Sequence, residues 1–434
     1  MTDNQTPYEN ADESTPRGRS RAARAERKTA KGLARHGRLV AQTKASALGG
    51  LFVKGLAVVV GAAVAIGGYT FWDLSSSLQA NGINLANAKP VTAADLEGPI
   101  NMLLVGSDTR AGQGGGYGNE TSNLADVIIL LHVSRDRKNA VAMSFPRDLM
   151  VPWPACPSTS GGPGYLPQSL GQINATISNG GPGCTLLTVE KLTGLTIPYL
   201  AMVDFKGVIE MSNAIGGVEV CVAKEISDKY THTYLSPGMH TLQGKPALQF
   251  LRTRHGVGDG SDLGRISNQQ VFLTSLVRKV KSAGVLSNPV RLYSLANAAA
   301  RNMKLSSNLT DINVMVAIAS ALKNVQLDKI TFLQVPSHGG LPAPYSGRVM
   351  PNYDQANLLF AKLIADEPLV IAKANTGAGA VVATPEPSVS SSPTSSATPS
   401  AGATVGATPT PTPSSSVLPD WARGTNASIQ TCSG

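Results

Sequence analysis

An uncharged apolar segment near the N-terminus constrains this chain more than any other feature. Residues 55–72 contain no charged side chain. As a helix they would extend about 27 Å, which is close to the thickness of the hydrocarbon core of a bilayer. Lys54 precedes the segment, and Tyr69 and Trp72 lie at its other end, where aromatic side chains favour the interface. We therefore predict a transmembrane helix at 55–72, in preference to a cleaved signal peptide or a buried core helix.

The positive charge of the chain is concentrated before that segment. The net charge is +9, and residues 1–54 hold eleven Lys and Arg against five Asp and Glu. This imbalance predicts a basic, disordered cytoplasmic arm at 1–54, with everything after Trp72 outside the cell membrane. Because the rest of the chain is almost balanced, a nucleic-acid-binding protein is disfavoured. The arm itself could contact anionic lipid, which we prefer, or nucleic acid.

The pattern of the remaining sequence predicts one folded region followed by a tail. Short apolar runs at 99–105, 126–133, 140–145, 199–204, 218–222, 248–253 and 330–335 predict strands. Helical patterns occupy 172–178, 185–192, 206–215, 266–282, 290–301, 311–323 and 354–365. This alternation predicts an α/β fold over residues 97–372, with a central mixed β-sheet flanked by helices. Residues 376–434 are rich in Pro, Ser and Thr, so we predict a disordered tail.

The four cysteines are expected to form disulfides, because the predicted domain lies outside the membrane. Four cysteines allow three connectivities. Cys156 and Cys184 bracket a stretch rich in Gly and Pro and form the preferred pair. Pairing of Cys221 with Cys432 would tie the end of the chain back to the domain. A zinc site is disfavoured because the sequence contains no C-x-x-C motif and few histidines.

Charged side chains gather at the ends of the predicted strands. These residues are Asp108, Arg110, Asp126, Arg147, Asp148, Arg252 and Arg254, and the start of a later helix adds Asp262, Arg265 and Gln269. Ligands of α/β sheets bind at strand ends. Guanidinium groups grip phosphate oxygens in pairs, and carboxylates bind Mg²⁺. The pattern therefore predicts a site for a pyrophosphate and a divalent cation, although each pair taken alone could be a structural salt bridge.

In these segments the chain resembles the LytR-CpsA-Psr family of cell-wall ligases. The resemblance covers residues 98 to about 282 and rests on seven segments in order: NMLLVGSDTR, ADVIILLHV, AVAMSFPRDLMV, QINATISNGG, IPYLAMVDFKGVIEMSNAIGGVEV, GMHTLQGKPALQFLRTRHG and SDLGRISNQQ. It implies a phosphotransferase that moves a glycopolymer from an undecaprenyl-pyrophosphate carrier to a muramic-acid hydroxyl of peptidoglycan. A phosphodiester bond results. The polyprenyl chain would need an apolar pocket, for which helices 206–215 and 266–280 are candidates, with Val208, Ile209 and Met211 among the lining residues.

The resemblance also implies roles for single residues. Asp108 and Asp126 would hold Mg²⁺ or Mn²⁺. The pyrophosphate would be clamped by Arg147, Arg252, Arg254 and Arg265. The positioning residues, for these groups or the substrate head group, would be Arg110, Asp148, Asp262 and Gln269. The chain departs from the family pattern at Leu124 and Asn268, where many members carry basic residues.

Two other functions remain open from the sequence. The basic arm and the tail would also suit a non-catalytic membrane protein that binds or regulates the cell wall. A polyprenyl-pyrophosphate pyrophosphatase would use the same site residues, with water in place of the sugar hydroxyl. Transfer of polymer to peptidoglycan would separate the ligase from both.

Overall fold

The computed structural model describes residues 44–85, 91, 96–109, 123–158, 162–282, 285, 288–371, 374–377, 379–383 and 416–434. The chain divides into two compact units, Met1–Thr70 and Phe71–Gly434. Most of the predicted arm lies outside the described residues. Helix α1 covers Lys44–Ala80, and its part Phe52–Ala80 is long and apolar enough to cross a membrane. The side chains of Phe52, Val58 and Ile66 are exposed, as expected of a span and not of a core helix.

Twenty strands follow in the described parts of the chain. In order they are β1 (Gly82–Ile83), β2 (Ile100–Ser107), β3 (Ala125–Val133), β4 (Ala140–Phe145), β5 (Met150–Trp153), β6 (Gln168–Gln172), β7 (Tyr199–Val203), β8 (Val218–Val222), β9 (Ile226–Asp228), β10 (Thr233–Leu235), β11 (Gly238–Leu242), β12 (Met303–Ser306), β13 (Ile330–Gln334), β14 (Ser337–His338), β15 (Met350–Pro351), β16 (Leu369–Val370), β17 (Ala380–Val382), β18 (Ser416–Val417), β19 (Gly424–Asn426) and β20 (Thr431–Ser433).

The helices after α1 alternate with these strands, as the sequence predicts. They are α2 (Thr176–Thr193), α3 (Phe205–Ala214), α4 (Lys245–Arg252), α5 (Asp262–Ser282), α6 (Pro289–Asn302), α7 (Ile312–Asn324) and α8 (Tyr353–Ile364), together with short 3₁₀ turns at Ile173–Ala175, Ser307–Leu309 and Leu327–Lys329. The two helices predicted at 172–178 and 185–192 are largely one element, α2, with non-helical residues at Gly180 and Gly181.

The main sheet is mixed, which confirms the predicted fold class. Its order is β1-β12-β7-β2-β3-β4-β13-β19. Strand β3 pairs antiparallel with both β2 and β4, whereas β7 and β13 join the outer sides of that trio in parallel. A second sheet has the order β11-β8-β20-β17. The ends of β2, β3 and β4 carry the predicted site residues Asp108, Asp126, Arg147 and Asp148.

Alternate residues of the central strands enter two different cores. Leu103 and Val105 of β2 belong to one cluster, whereas Ile100 and Met102 belong to another. Successive side chains of a strand point to opposite faces, so a continuous apolar run is required when helices cover both faces of a sheet. A third cluster lies between the second sheet and helices α4 and α5. Because both faces of the sheet are buried in these cores, the sequences of the central strands are unbroken apolar runs.

One predicted strand is a helix. Residues 248–253 fall mostly within α4, which begins after Gly244, with a φ of 64°, and has a proline in its first turn. Proline suits the first turn of a helix, since its missing N–H has no intrahelical partner there. Ala247, Phe250 and Leu251 follow helical spacing and pack in the third core. The strand prediction failed because the apolar run was too short to distinguish the two periods.

The predicted end of the folded region at residue 372 also needs correction. The last residues form β18, β19 and β20, and β19 pairs with β13 at the edge of the main sheet. Strand β20 lies between β8 and β17 in the second sheet. Residues 384–415, which include most of the Pro/Ser/Thr tract, lie outside the described residues. The C-terminal segment carries few large apolar residues, so composition conceals its place in the sheets.

Both expected disulfides are present. Cys156 pairs with Cys184, as preferred from the sequence, and Cys221 pairs with Cys432. The second bond joins β8 to β20, where the two cysteines are register partners in parallel strands. It therefore ties the C-terminal segment to the folded core.

Candidate functional site

Strand register brings the first group of predicted site residues to one edge of the main sheet. Ser107 at the end of β2 pairs with Ala125 at the start of β3, and Ile128 of β3 pairs with Phe145 at the end of β4. Asp108, Asp126 and Arg147 therefore emerge side by side. The Leu124 N–H donates to Asp108 Oδ1 at 2.6 Å, and the Asp108 N–H donates to the Leu124 carbonyl at 3.0 Å. Leu124 thus holds the Asp108 loop with its backbone alone.

Two arginines and two aspartates form a continuous ionic network at this edge. Arg147 Nη1 lies 2.7 Å from Asp126 Oδ1, and Arg147 Nε lies 3.4 Å from Asp262 Oδ1. Arg265 Nη2 lies 2.5 Å from Asp262 Oδ1 and 3.2 Å from the carbonyl oxygen of Asp126. Arg265 comes from the first turn of α5, so the helix start and two strand ends meet in one cluster.

Burial changes the acid–base properties of this network. Desolvation raises the pKa of Asp262, although Arg265 and Arg147 oppose it, and desolvation lowers the pKa of Arg265. Burial alone would lower the pKa of Arg147, but the carboxylates of Asp126, Asp262 and Asp148 raise it. Both carboxylate oxygens of Asp262 are buried without a hydrogen bond from the described residues, and the ionic contacts with Arg147 and Arg265 both use Oδ1. The charged groups of the network are therefore partly excluded from water.

Asp148 connects the network to a residue that the sequence did not indicate. Arg348 Nη1 lies 2.7 Å from Asp148 Oδ1, and Gln172 Nε2 donates to the same oxygen at 2.6 Å. Arg147 Nε lies 3.6 Å from the other oxygen. Arg348 belongs to no motif and precedes β15 in a turn, so only the tertiary fold brings it here.

The remaining predicted arginines divide into two environments. The guanidinium carbon of Arg252, at the end of α4, lies 4.4 Å from the centroid of the Phe205 ring, which is a cation–π contact. Arg254 instead donates from Nε to the Gly260 carbonyl at 2.9 Å, and its N–H bonds Asp228 Oδ2. Arg254 therefore secures the loop before α5. Gln269 Nε2 donates to the Leu251 carbonyl at 3.2 Å, which joins α5 to α4.

A mostly apolar cavity of about 360 Å³ begins at these residues. Asp126, Arg252, Arg265 and Gln269 line it together with Asp204, Ser107 and Ser212, and most of the other lining residues are aliphatic or aromatic. The predicted lining residues Val208 and Met211 of α3 are present, as are Phe272, Leu276 and Val280 of α5, whereas Ile209 does not line the cavity. A second cavity, near Ile371 and Leu418, contains no predicted site residue.

The acidic residues fit Mg²⁺ only as partial ligands. Among the described residues, no group of three His, Cys, Asp or Glu is placed to hold a metal ion. Asp126 Oδ2 accepts no contact from the described residues, since both ion pairs of this carboxylate use Oδ1. Mg²⁺ is often bound by one or two carboxylates together with substrate phosphates. The open oxygen of Asp126 suits that kind of site.

The two positions at which the sequence departs from the family pattern, Leu124 and Asn268, lie in different environments. Leu124 contacts Asp108 through its backbone, and Arg110, the predicted positioning residue, lies outside the described residues. Asn268, the second departure, is fully buried. Its Nδ2 donates to the Phe250 carbonyl at 2.8 Å, and its Oδ1 accepts from the Ser433 hydroxyl. Asn268 therefore joins α5 to α4 and to the C-terminal strand β20.

Comparison with known proteins identifies the family of the chain. Residues 69–359 match the model of the LytR_cpsA_psr family. The chain is 28% identical over 299 residues to the cell wall biosynthesis protein LcpA of Corynebacterium glutamicum; this match covers 62% of the chain and 56% of LcpA. It is 27% identical over 289 residues to the polyisoprenyl-teichoic acid–peptidoglycan teichoic acid transferase TagT of Bacillus subtilis, covering 65% of the chain and 83% of TagT. The chain thus spans little more than half the length of LcpA.

A solved structure shares the fold. The crystal structure of protein gbs0355 from Streptococcus agalactiae superposes with a TM-score of 0.52 at 20% identity, covering 64% of this chain and 91% of that one. The family match extends over well more than half of the residues, from the end of the apolar segment to α8. The chain therefore belongs to the LytR_cpsA_psr family.

Proposed function

We propose that this protein transfers a glycopolymer from a polyprenyl-pyrophosphate carrier to a muramic-acid hydroxyl of peptidoglycan. One observation carries the proposal: a single cavity has arginines and a carboxylate at one end and an apolar lining beyond them. A polyprenyl pyrophosphate has the same division, with a doubly charged head and a hydrocarbon chain. The names of LcpA and TagT support cell-wall polymer transfer in general terms.

The pyrophosphate would be held mainly by arginine. Arg252 lies at the cavity wall on the Phe205 ring, and Arg265 reaches the cavity from α5. Guanidinium groups bind phosphate oxygens in pairs, and the ring keeps the Arg252 plane in one orientation. Arg147 is already saturated with carboxylates, so binding of an anion would redistribute its contacts. Arg254 would act by holding the loop that precedes α5.

Asp108 and Asp126 would hold Mg²⁺ or Mn²⁺, which supplies positive charge to the phosphate oxygens when bound. The acceptor hydroxyl oxygen forms a new bond to the phosphorus that carries the sugar. The bond from that phosphorus to the bridging oxygen breaks, and polyprenyl phosphate leaves with the electron pair. The hydroxyl proton passes to a carboxylate of the cluster. The protein contributes orientation and charge stabilisation, and Asp148, Asp262 and Gln269 keep the arginines and α5 in place.

The proposed anchor places this reaction at the outer surface of the cell membrane. The basic residues before α1 favour an N-terminus in the cytoplasm, so the Phe71–Gly434 unit would face the wall. The carrier lipid and peptidoglycan are then both within reach. We propose no nucleic-acid partner, because the total charge of residues 55–434 is almost balanced.

The test uses the full chain in liposomes that contain a polyprenyl-pyrophosphate glycan and Mg²⁺. We expect release of polyprenyl phosphate and appearance of labelled glycan on added peptidoglycan fragments, both lost in Arg252→Ala. Release of lipid phosphate with label only in solution would indicate a pyrophosphatase. Absence of turnover in the wild type would favour the binding or regulatory function.

A further inference from the structure

Helix α6 has two faces with different surroundings. Leu295 lines the apolar cavity. On the other side, Val290, Tyr293, Asn297 and Arg301 follow one another at spacings of three or four residues, which places them along one stripe of the helix. Val290 is 72% exposed and Tyr293 is 37% exposed. The stripe therefore begins with apolar and aromatic side chains in solvent and ends with a cation.

The cationic end of this stripe is tied to the chain beside the proposed membrane span. Arg301 Nη2 lies 2.7 Å from Asp73 Oδ2, and Arg301 Nε donates to Asn297 Oδ1 at 2.8 Å. Asp73 directly follows Trp72, the last residue of the predicted span. The backbone carbonyl of Ala300 also accepts from Asn81 Nδ2 at 2.9 Å. The C-terminal end of α6 is thus held within one ion pair of the residue that leaves the bilayer.

The sequence segment that contains α6 is basic. Residues 278–310 contain no Asp or Glu, and their six cations are Arg278, Lys279, Lys281, Arg291, Arg301 and Lys304. Of these cations, Arg278 and Lys281 donate to backbone carbonyl oxygens, whereas Arg291, Arg301 and Lys304 are exposed. Exposed apolar side chains together with exposed cations are the properties of a helix that lies in the interface of an anionic bilayer. Each such cation near an anionic surface adds to the attraction.

The cavity supplies a reason for this location. Arg265 and Val280, both in its wall, are fifteen residues apart on α5, a distance of about 22 Å in a helix. The arginines therefore lie at one end, and Val280 lies at the other, toward the end of α5 that leads to α6. A cavity of about 360 Å³ encloses only part of an undecaprenyl chain, so the rest must remain in a hydrocarbon environment.

We propose that α6 docks on the outer surface of an anionic bilayer through the stripe from Val290 to Arg301. The apolar end of the cavity then lies next to the membrane, and the carrier lipid enters between α5 and α6 without crossing water. The docking contact concerns α6 and lipid alone, whereas the route of lipid entry rests on the proposed function.

The first test measures depth in the membrane. The full chain is reconstituted in liposomes of phosphatidylcholine and phosphatidylglycerol, and a fluorophore is attached to Val290→Cys or to Leu166→Cys. Leu166 is a matched control because it is 83% exposed and lies far from α6 in the fold. It precedes β6, which pairs with β5 beside the core of Leu103 and Val105, whereas Ala300 of α6 belongs to the core of Ile100 and Met102. We expect quenching by doxyl-labelled lipid to be several-fold stronger at position 290. Equal quenching at both positions would overturn the proposal. So would protection of the fluorophore at position 290 from the quencher that increases with protein concentration, because it would indicate contact between copies of the chain.

The second test separates docking from chemistry. Val290→Glu and Leu166→Glu are compared with the wild type, using a long-chain carrier in liposomes and a short-chain, water-soluble polyprenyl pyrophosphate. Loss of a buried aliphatic contact predicts about ten-fold slower turnover of the liposomal substrate for Val290→Glu only, with turnover of the soluble substrate unchanged. Equal effects on both substrates would overturn the entry route. Strong quenching at position 290 without turnover by the wild type would support docking and contradict the proposed function.

Discussion

Arg252 has a role at the scale of a single residue that its charge alone does not explain. Its guanidinium lies on the Phe205 ring and lines the cavity. Arg252→Lys keeps the positive charge but loses the planar fork and the stacking. We expect turnover of the polyprenyl pyrophosphate to fall about 10- to 100-fold, with the midpoint of urea unfolding unchanged. Arg135→Lys, at an exposed turn after β3, is the control. Full activity of Arg252→Lys would contradict the proposed clamp.

Asp228 supports the site through the backbone. Burial disfavours its charge, but hydrogen bonds from the N–H groups of Arg254, Tyr230, His255 and Thr231 outweigh burial and lower the pKa of Asp228. A carboxylate whose pKa is lowered in the folded state stabilises the fold at pH values above its ordinary pKa. This contribution is lost as the pH falls through the pKa of the folded state. We expect Asp228→Asn to lower the free energy of unfolding by about 2 kcal/mol at pH 7.

The pH dependence of that difference is the test. Urea unfolding of the wild type and of Asp228→Asn is measured between pH 7 and pH 3. The difference between the two free energies should begin to shrink once the pH falls below the ordinary pKa of an aspartate, about 3.9, and should vanish below the lower pKa of the folded state. A difference that stays constant over this range would mean that the charge of Asp228 contributes nothing.

At the scale of secondary-structure elements, α5 joins the ionic network to the apolar cavity. Arg265 and Gln269 lie near its start, and Leu276 lines the cavity two turns further along. Leu276→Trp should fill the cavity without touching an arginine. We expect turnover of a long-chain carrier to fall about ten-fold, with little change in the turnover of a short-chain pyrophosphate. An equal loss with both substrates would show that the helix has moved and that the cavity is not the cause.

The C-terminal strands depend on a disulfide that closes a long loop. Cys221 and Cys432 are separated by 211 residues, whereas Cys156 and Cys184 are separated by 28. Because loop closure removes more entropy from a longer unfolded loop, replacing the Cys221 and Cys432 pair by alanine should destabilise the fold more. The expected cost is about 5 kcal/mol, against about 3–4 kcal/mol for the shorter loop. Denaturant unfolding of the two double variants tests the order, and a reversed order would contradict it.

At the scale of the whole molecule, the proposed anchor should act by raising the local concentration of substrate. A fragment of residues 73–434 keeps nearly all of the Phe71–Gly434 unit and both disulfides. We expect its unfolding to match that of the full chain. Its turnover of carrier lipid in liposomes should fall about 100-fold or more at equal protein concentration, because binding is no longer intramolecular. Unchanged turnover on liposomes would show that the span has no part in the reaction.

The fragment must extend to residue 434 for a physical reason. Strand β20 lies between β8 and β17, and Ser433 bonds Asn268 of α5. A protein that ended near residue 375 would leave β8 and the buried amide of Asn268 without these partners. The C-terminal strands therefore belong to the support of the helix that carries Arg265.

The sequence by itself determined the features that depend on neighbouring residues. Apolar runs of strand length identified β2, β3 and β4, because helices on both faces require every residue of these strands to be apolar. Charges directly after or before those runs identified Asp126, Arg147 and Asp148. Antiparallel pairing of consecutive strands places such ends together, so proximity could be inferred without coordinates.

Only the tertiary structure decided contacts between distant parts of the chain. Arg348 reaches Asp148 across 200 residues, and no local pattern marks it. The helical α4 depends on packing in the third core, and the C-terminal strands depend on pairing with β13 and β8. These segments have compositions that suit several conformations, because short or polar stretches have weak intrinsic preferences. Their structure is decided by the surfaces and backbone partners that the rest of the fold provides.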